Sequence, residues 1–185
     1  MDFAQVLADI ARFLSGEGVR FGLAGAFALQ AHGLARATSD LDFVVEAAAQ
    51  PALLRYLDSL GYERLHVSEG FSNHLHAEPS RGRLDFIYVD DHTADLLFGG
   101  GTRVVIFPGL EVPVPRPEHL AAMKVQAMKS DPSRTFKDLA DIQFLLGLPG
   151  IDAAEIRGYF EKQGLLERFN ELEKAVAARL PGQPR

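Results

Sequence analysis

The stretch GAFALQAHG at residues 25–33, followed by RATSDLDF at residues 36–43, decides how this chain folds. Its first glycine is typical of a turn between a strand and a short helix, and the chain after that helix becomes extended. Asp40 and Asp42 are spaced two residues apart, so on a strand their side chains leave the same face. The triplet Leu-Asp-Phe around Asp42 recurs around Asp85, which belongs to the clearest predicted strand, residues 83–89.

These three aspartates predict a metal site. If the two strands are neighbours, Asp42 and Asp85 face each other about 5 Å apart at Cβ. Three such carboxylates repel one another, and a divalent cation removes that penalty. The pattern therefore indicates a catalytic site where Asp40, Asp42 and Asp85 hold two Mg²⁺ ions, or Mn²⁺, against a triphosphate. For each aspartate taken alone, the alternative is a turn residue that begins a strand.

Composition limits the classes of protein to consider. The chain has 185 residues, a net charge of -6 and no cysteine, which excludes disulfides and thiolate zinc sites. An acidic chain is unsuited to broad non-specific nucleic-acid binding. No apolar run is long enough to span a bilayer, and the acidic N-terminus argues against a secretory signal. We therefore expect a cytoplasmic protein that does not associate with a membrane.

The pattern of predicted elements divides the chain in two. Residues 1–115 mix helices with strands and read as an α+β core. Residues 116–180 read as helices only, and we expect this small helical part to pack on the core. Residues 181–185 read as a tail.

Several other side chains are candidates for nucleotide binding. Free backbone N–H groups at Gly25 and Ala26, where a helix begins, suit phosphate. Arg36 and Thr38 share the face of Asp40 in an extended segment, and Arg36 could bind phosphate or form a surface ion pair.

Two further patterns have ordinary interpretations as well as functional ones. Lys124 could face a triphosphate, or its stem could cover apolar surface while its ammonium stays in water. Lys137 and Asp141 are four residues apart, a spacing typical of local helix support. His74 and His76 share a strand face, and the interpretation that we favour is an edge strand facing solvent rather than a metal site.

The combination resembles the nucleotidyltransferase superfamily that includes DNA polymerase β. Its signature is Gly-Gly or Gly-Ser at a helix start, Asp-x-Asp on a strand, and a third carboxylate on a later strand. The spacing Gly25…His32-Gly33…Arg36-x-Thr38-x-Asp40-x-Asp42 resembles small bacterial nucleotidyltransferases of the AbiEii type, which are often toxins of toxin–antitoxin pairs. The segment 117–124 and the pair Lys137-Asp138…Asp141 are similar to that group too.

The resemblance implies a mixed β-sheet flanked by helices and a metal-dependent transfer of NMP from an NTP to a hydroxyl. The acceptor would be RNA such as tRNA, a protein or a small molecule, and an antitoxin protein would be a partner. The nucleotide would contact Lys124 and Asp141 in addition to Gly25 and Ala26. Ala26 departs from the signature, so an inactive nucleotide- or protein-binding module is one alternative. A metal-dependent phosphodiesterase that uses the same carboxylates is another.

Overall fold

The computed structural model describes residues 1–177. Contacts between Cα atoms group the chain into two compact units, of which the first is Met1–Arg116 and the second begins at Pro117. The predicted packing of the helical part on the core stays a prediction, and the predicted tail at 181–185 lies outside the described residues.

The first unit alternates helices and strands. Its helices are α1 (Phe3–Gly16), α2 (Gly25–Ala31), α3 (Gln50–Ser59) and α4 (Asp91–Gly99). Its strands are β1 (Phe21–Leu23), β2 (Asp40–Glu46), β3 (Tyr62–Val67), β4 (Phe71–His76), β5 (Arg83–Val89), β6 (Thr102–Phe107) and β7 (Leu110–Val114).

Five of these strands form one mixed sheet in the order β1-β2-β5-β4-β3. The central pair β2 and β5 is parallel, and the other neighbours are antiparallel. Strands β6 and β7 form a separate antiparallel hairpin around Pro108 and Gly109. A mixed sheet with helices is the predicted fold class, which is confirmed.

Alternating hydrophobicity fixes which face of the central pair is covered. On β2, Leu41 and Phe43 are fully buried, whereas Asp40 and Asp42, which alternate with them, are half-buried; Val44 and Val45 are both buried. On β5 the same alternation buries Phe86, whose ring stacks on Phe43 with 5.2 Å between centroids and 13° between planes. Burying each such side chain stabilises the fold by about 1.5–3 kcal/mol. A slip of one residue would put these side chains in water, so the register is strongly specified.

The second unit is helical in its described part. Its helices are α5 (Pro117–Ser130), α6 (Thr135–Leu146), α7 (Ala153–Lys162) and α8 (Leu166–Ala177). Apolar side chains from all four helices build its core. Those that are fully or almost fully buried include Val125, Ile142, Leu145, Ile156, Phe160 and Phe169. Across residues 1–177, no helix combines the length and apolar character needed to cross a membrane.

Candidate active site on the face of the mixed sheet

Asp40, Asp42 and Asp85 are brought together on one face of the sheet. Because β2 and β5 run parallel in register, Asp42 lies beside Asp85 and Asp40 lies beside Arg83. One carboxylate oxygen from each of the three aspartates lies within 4.8 Å of the others. Among residues 1–177, this is the group of three acidic or histidine side chains that could hold a metal ion.

The electrostatics of this cluster favour a divalent cation. Two unit charges about 4 Å apart repel by about 1 kcal/mol in water and by about 4 kcal/mol at the dielectric typical of a protein surface. The three carboxyl groups are half-buried, so water screens them incompletely. Hard carboxylate oxygens are the ligands that Mg²⁺ and Mn²⁺ prefer. The donor set therefore fits a hard divalent metal ion.

Gly25 is required by the close approach of α2 to this cluster. Its backbone has a φ of +56°, a conformation that side chains with a Cβ rarely adopt. A Cβ at this position would lie 1.8 Å from Asp42 Oδ2 and 2.5 Å from Asp42 Cγ. The glycine therefore lets the start of α2 lie directly against one of the three carboxylates.

The polar groups available to a ligand at the start of α2 are backbone N–H groups rather than side chains. The residue before it, Ala24, makes no side-chain cap, and the first N–H groups of a helix have no partner within it. Ala26 is 4% exposed, so its methyl group is packed against the protein. Any contact of Ala26 with a ligand would use its backbone N–H.

The segment before β2 places Thr38 against the cluster. Burial alternates along it, with Arg36, Thr38 and Asp40 half-buried and the residues between them exposed. Thr38 Oγ1 donates a hydrogen bond to Asp40 Oδ1 over 2.5 Å. The predicted common face is consistent with this alternation, although the segment is irregular rather than a strand.

Asp85 has two hydrogen-bond donors that the sequence analysis missed. Asn73 Nδ2 donates to Asp85 Oδ1 over 2.9 Å. Arg83 Nε lies 2.9 Å from Oδ1 and 3.2 Å from Oδ2 of the same carboxylate. The hydrogen bond to Asp85 raises the pKa of Arg83 above its ordinary value. Arg83 could have been found from its spacing of two residues to Asp85, but Asn73 carries no comparable signal.

Lys124 and Asp141 belong to the second unit, where they form a buried ion-pair cluster. Lys124 Nζ donates to Asp141 Oδ2 over 2.5 Å and to Asp138 Oδ1 over 3.3 Å. Arg134 Nε lies 3.3 Å from the other oxygen of Asp138. The alternative interpretation, a lysine whose ammonium stays in water, is wrong, because Lys124 is 8% exposed; its predicted contact with a nucleotide stays a prediction. Asp141 bonds across helices to α5, so its role exceeds the local support expected from Lys137.

The expectation that His74 lies on a solvent-facing edge strand is also wrong. Strand β4 lies between β5 and β3, and His74 is fully buried on the covered face. Its Nε2 lies 2.8 Å from Ser72 Oγ, which lies 2.7 Å from Tyr88 Oη. Burial lowers the pKa of His74, so this side chain is a neutral part of the core.

Solved structures with the same fold are nucleotidyltransferases. The lincosamide antibiotic adenylyltransferase LnuA superposes with a TM-score of 0.55 at 17% identity, and the superposition covers 77% of this chain and 96% of the LnuA chain. The antibiotic-resistance factor ANT(2'')-Ia has a TM-score of 0.55 at 16% identity, with 97% and 94% covered. A putative nucleotidyltransferase from Thermotoga maritima has a TM-score of 0.53 at 14% identity, with 75% and 92% covered. The chain has the nucleotidyltransferase fold.

Residues 6–182 match the model of the family described as nucleotidyl transferase AbiEii toxin, type IV TA system. Because this match spans almost the whole sequence, the chain belongs to the AbiEii family of nucleotidyltransferases. No curated protein sequence gives a significant match. The resemblance stated from the sequence is therefore confirmed, and so is the expectation of an enzyme of the nucleotidyltransferase class.

Proposed function

We propose that this protein transfers a nucleoside monophosphate from an NTP to a hydroxyl group in a reaction that depends on a divalent metal ion. The single observation that carries the proposal is the cluster of Asp40, Asp42 and Asp85, whose oxygens lie within 4.8 Å of one another. Family membership supplies the class of reaction, and the cluster supplies residues able to perform it.

Asp40, Asp42 and Asp85 would hold two Mg²⁺ ions, or Mn²⁺. When bound, the metal supplies positive charge that stabilises the phosphates during transfer and makes the acceptor hydroxyl more acidic. Thr38 orients Asp40 through its hydrogen bond, and Gly25 leaves Asp42 the space that its carboxylate occupies.

In this proposal the β- and γ-phosphates lie against the backbone of Gly25 and Ala26. The absence of a side-chain cap on α2 supports it, because backbone N–H groups there are suited to an anion. Arg36, whose side chain is half-buried before β2, is proposed to contact the phosphates. Lys124 and Asp141 are proposed nucleotide-binding residues through the resemblance, in addition to their contact with each other.

In the proposed reaction, these groups bring the acceptor hydroxyl and the NTP together. The oxygen of the acceptor hydroxyl bonds to the α-phosphorus of the NTP, and the bond from that phosphorus to the oxygen bridging to the β-phosphorus breaks. Pyrophosphate leaves with the bonding electrons. Asp85 lies beside Asp42 on the neighbouring strand β5 and is proposed to accept the proton of the hydroxyl.

A labelling experiment tests this function and identifies the acceptor class. The purified protein is incubated with each of four [α-³²P]NTPs, Mg²⁺ and a cell extract, and RNA, protein and small molecules are then separated. We expect label in one fraction, lost with EDTA and in Asp42→Asn. The matched control is Asp58→Asn, which removes a half-exposed carboxylate paired with Arg64 away from the cluster.

Two alternatives predict different results in the same experiment. An inactive binding module binds a nucleotide but releases no pyrophosphate. A phosphodiesterase cleaves nucleic acid when NTP is left out. Label that persists at the wild-type rate in Asp42→Asn contradicts the proposal.

We also propose that the chain acts in the cytoplasm as the toxin of a toxin–antitoxin pair, with an antitoxin protein as its partner. The description of its family supports this role. Induced expression of the wild-type protein in a bacterial host is expected to arrest growth, whereas Asp42→Asn at the same level is not. Equal growth of both strains would contradict a toxic transferase.

A further inference from the structure

Asp85 is held from two directions. Asn73 lies directly opposite Asp85 in the antiparallel pair of β4 and β5, and its amide donates to Oδ1 over 2.9 Å. Arg83 lies two residues before Asp85 on the same strand, and its Nε lies 2.9 Å from Oδ1 and 3.2 Å from Oδ2. Oδ1 thus accepts two short hydrogen bonds, while Oδ2 has a single longer contact.

The two donors differ in how firmly they hold the carboxylate. The Arg83 side chain is 43% exposed and long, so water screens its charge and several rotamers are open to it. Asn73 is half-buried, has a short side chain, and is fixed by the sheet opposite its partner. The fixed donor to Asp85 is therefore Asn73.

We propose that Asn73 is a positioning residue that sets the orientation of the Asp85 carboxylate, an inference that rests on the proposed function. Hydrogen bonds to a metal-ligating carboxylate orient it, and their loss weakens metal binding by about 10–100-fold. The amide donates without bringing a charge. A carboxylate at residue 73 would add to the repulsion within the cluster, and an ammonium group would compete with the cation.

The test measures Mn²⁺ binding by electron paramagnetic resonance, without NTP or acceptor. Asn73→Ala is expected to raise the dissociation constant by about 10–100-fold. In the Asp85→Asn background the same substitution is expected to cause no further loss, because Asn73 acts through Asp85. Leu75→Ala, which removes a 42% exposed side chain two residues further along β4, is the matched control and is expected to bind Mn²⁺ like the wild type.

A second variant separates positioning from simple damage to the fold. Asn73→Leu keeps nearly the same shape but has no hydrogen-bond donor. It is expected to show the same loss of Mn²⁺ affinity and to keep a cooperative thermal unfolding transition. In the labelling assay both variants are expected to lower kcat about 10–100-fold with an unchanged KM for NTP. A raised KM with unchanged kcat would overturn the inference.

The outcomes also separate this inference from the proposed function. If the wild type binds Mn²⁺ and transfers label while Asn73→Ala and Asn73→Leu behave like it, the positioning role is overturned and the function stands. If losses in Asn73→Ala and Asp85→Asn simply add in the double variant, Asn73 does not act through Asp85. A wild type that neither binds Mn²⁺ nor transfers label overturns both.

Discussion

Replacing Gly25 with alanine tests the close approach between α2 and the carboxylate cluster. The new Cβ would lie 1.8 Å from Asp42 Oδ2, where ordinary contacts begin at 3.4 Å, so the carboxylate must move by about 1.6 Å. A displacement of about 1 Å at a reacting centre costs about 100-fold in rate. We therefore expect Gly25→Ala to lower the rate of nucleotidyl transfer at least about 100-fold.

The same substitution also strains the backbone, and a matched variant, Gly18→Ala, measures the loss of stability that this strain alone causes. Gly18 has a φ of +68°, close to that of Gly25, but a Cβ there would meet nothing within 4 Å. Alanine in this conformation costs about 1–2 kcal/mol in the free energy of unfolding. At about 2–4 °C per kcal/mol for a chain of this size, both variants are expected to melt roughly 2–8 °C below the wild type.

The assay compares initial rates of label transfer from [α-³²P]NTP at a temperature where both variants are folded, alongside thermal unfolding followed by circular dichroism. Gly18→Ala is expected to lose stability but keep its rate. Gly25→Ala is expected to lose both. Equal rates in the two variants would refute the reasoning, because the clash with Asp42 would then have no consequence for the site.

Two other predictions concern buried groups. Lys124→Met leaves Asp138 and Asp141 without their shared cation, so we expect the free energy of unfolding, measured by urea titration, to fall by about 3–5 kcal/mol. The control is Lys129→Ala, which changes an exposed lysine of α5. No change in Lys124→Met would show that the ion-pair cluster does not stabilise this unit. Because the pKa of His74 is lowered in the folded protein, the imidazole takes up a proton more readily in the unfolded chain. The free energy of unfolding is therefore highest above about pH 6.5 and decreases as the pH falls, by up to about 1.4 kcal/mol per pH unit. Urea unfolding between pH 5 and 8 should show a weaker pH dependence in His74→Leu than in the wild type, and parallel curves would contradict this assignment.

The sequence predicted those features that depend on local spacing. The alternation around Asp40, Asp42 and Asp85 placed the aspartates on one face of their strands, and β5 begins and ends at the predicted residues 83 and 89. These strands could be predicted because apolar residues flank each aspartate, at Leu41 and Phe43 around Asp42 and at Leu84 and Phe86 around Asp85, and this alternation specifies which face is buried. The glycine of residue 25 was recognised as a turn, but its contact with Asp42 needed the structure.

The features that the sequence did not predict depend on which elements become neighbours. Asn73 contacts Asp85 because β4 pairs with β5 in one register, and neither strand encodes that register by itself. β4 is an interior strand because β3 pairs with its far side, and His74 is buried because its side chain lies on the covered face of that strand, whereas Leu75 on the other face is 42% exposed. Lys124 is buried because α6 packs against α5 and brings Asp138 and Asp141 to it. Asn73 lies 12 positions from Asp85, His74 lies 10 positions from Arg64 opposite it on β3, and Lys124 lies 14 and 17 positions from Asp138 and Asp141.

The fate of the α- and γ-phosphates of one NTP shows whether the aspartate cluster transfers a nucleoside monophosphate. Matched reactions contain [α-³²P]NTP or [γ-³²P]NTP with Mg²⁺, the cell extract that supplies the acceptor, and either the wild type or Asp42→Asn. We expect the α-label to join the acceptor and the γ-label to leave in pyrophosphate. Asp42→Asn is expected to lower the rate about a thousandfold, which is roughly 4 kcal/mol of lost transition-state stabilisation. Transfer of the γ-label, or an unchanged rate in Asp42→Asn, would contradict metal-dependent nucleotidyl transfer by this cluster.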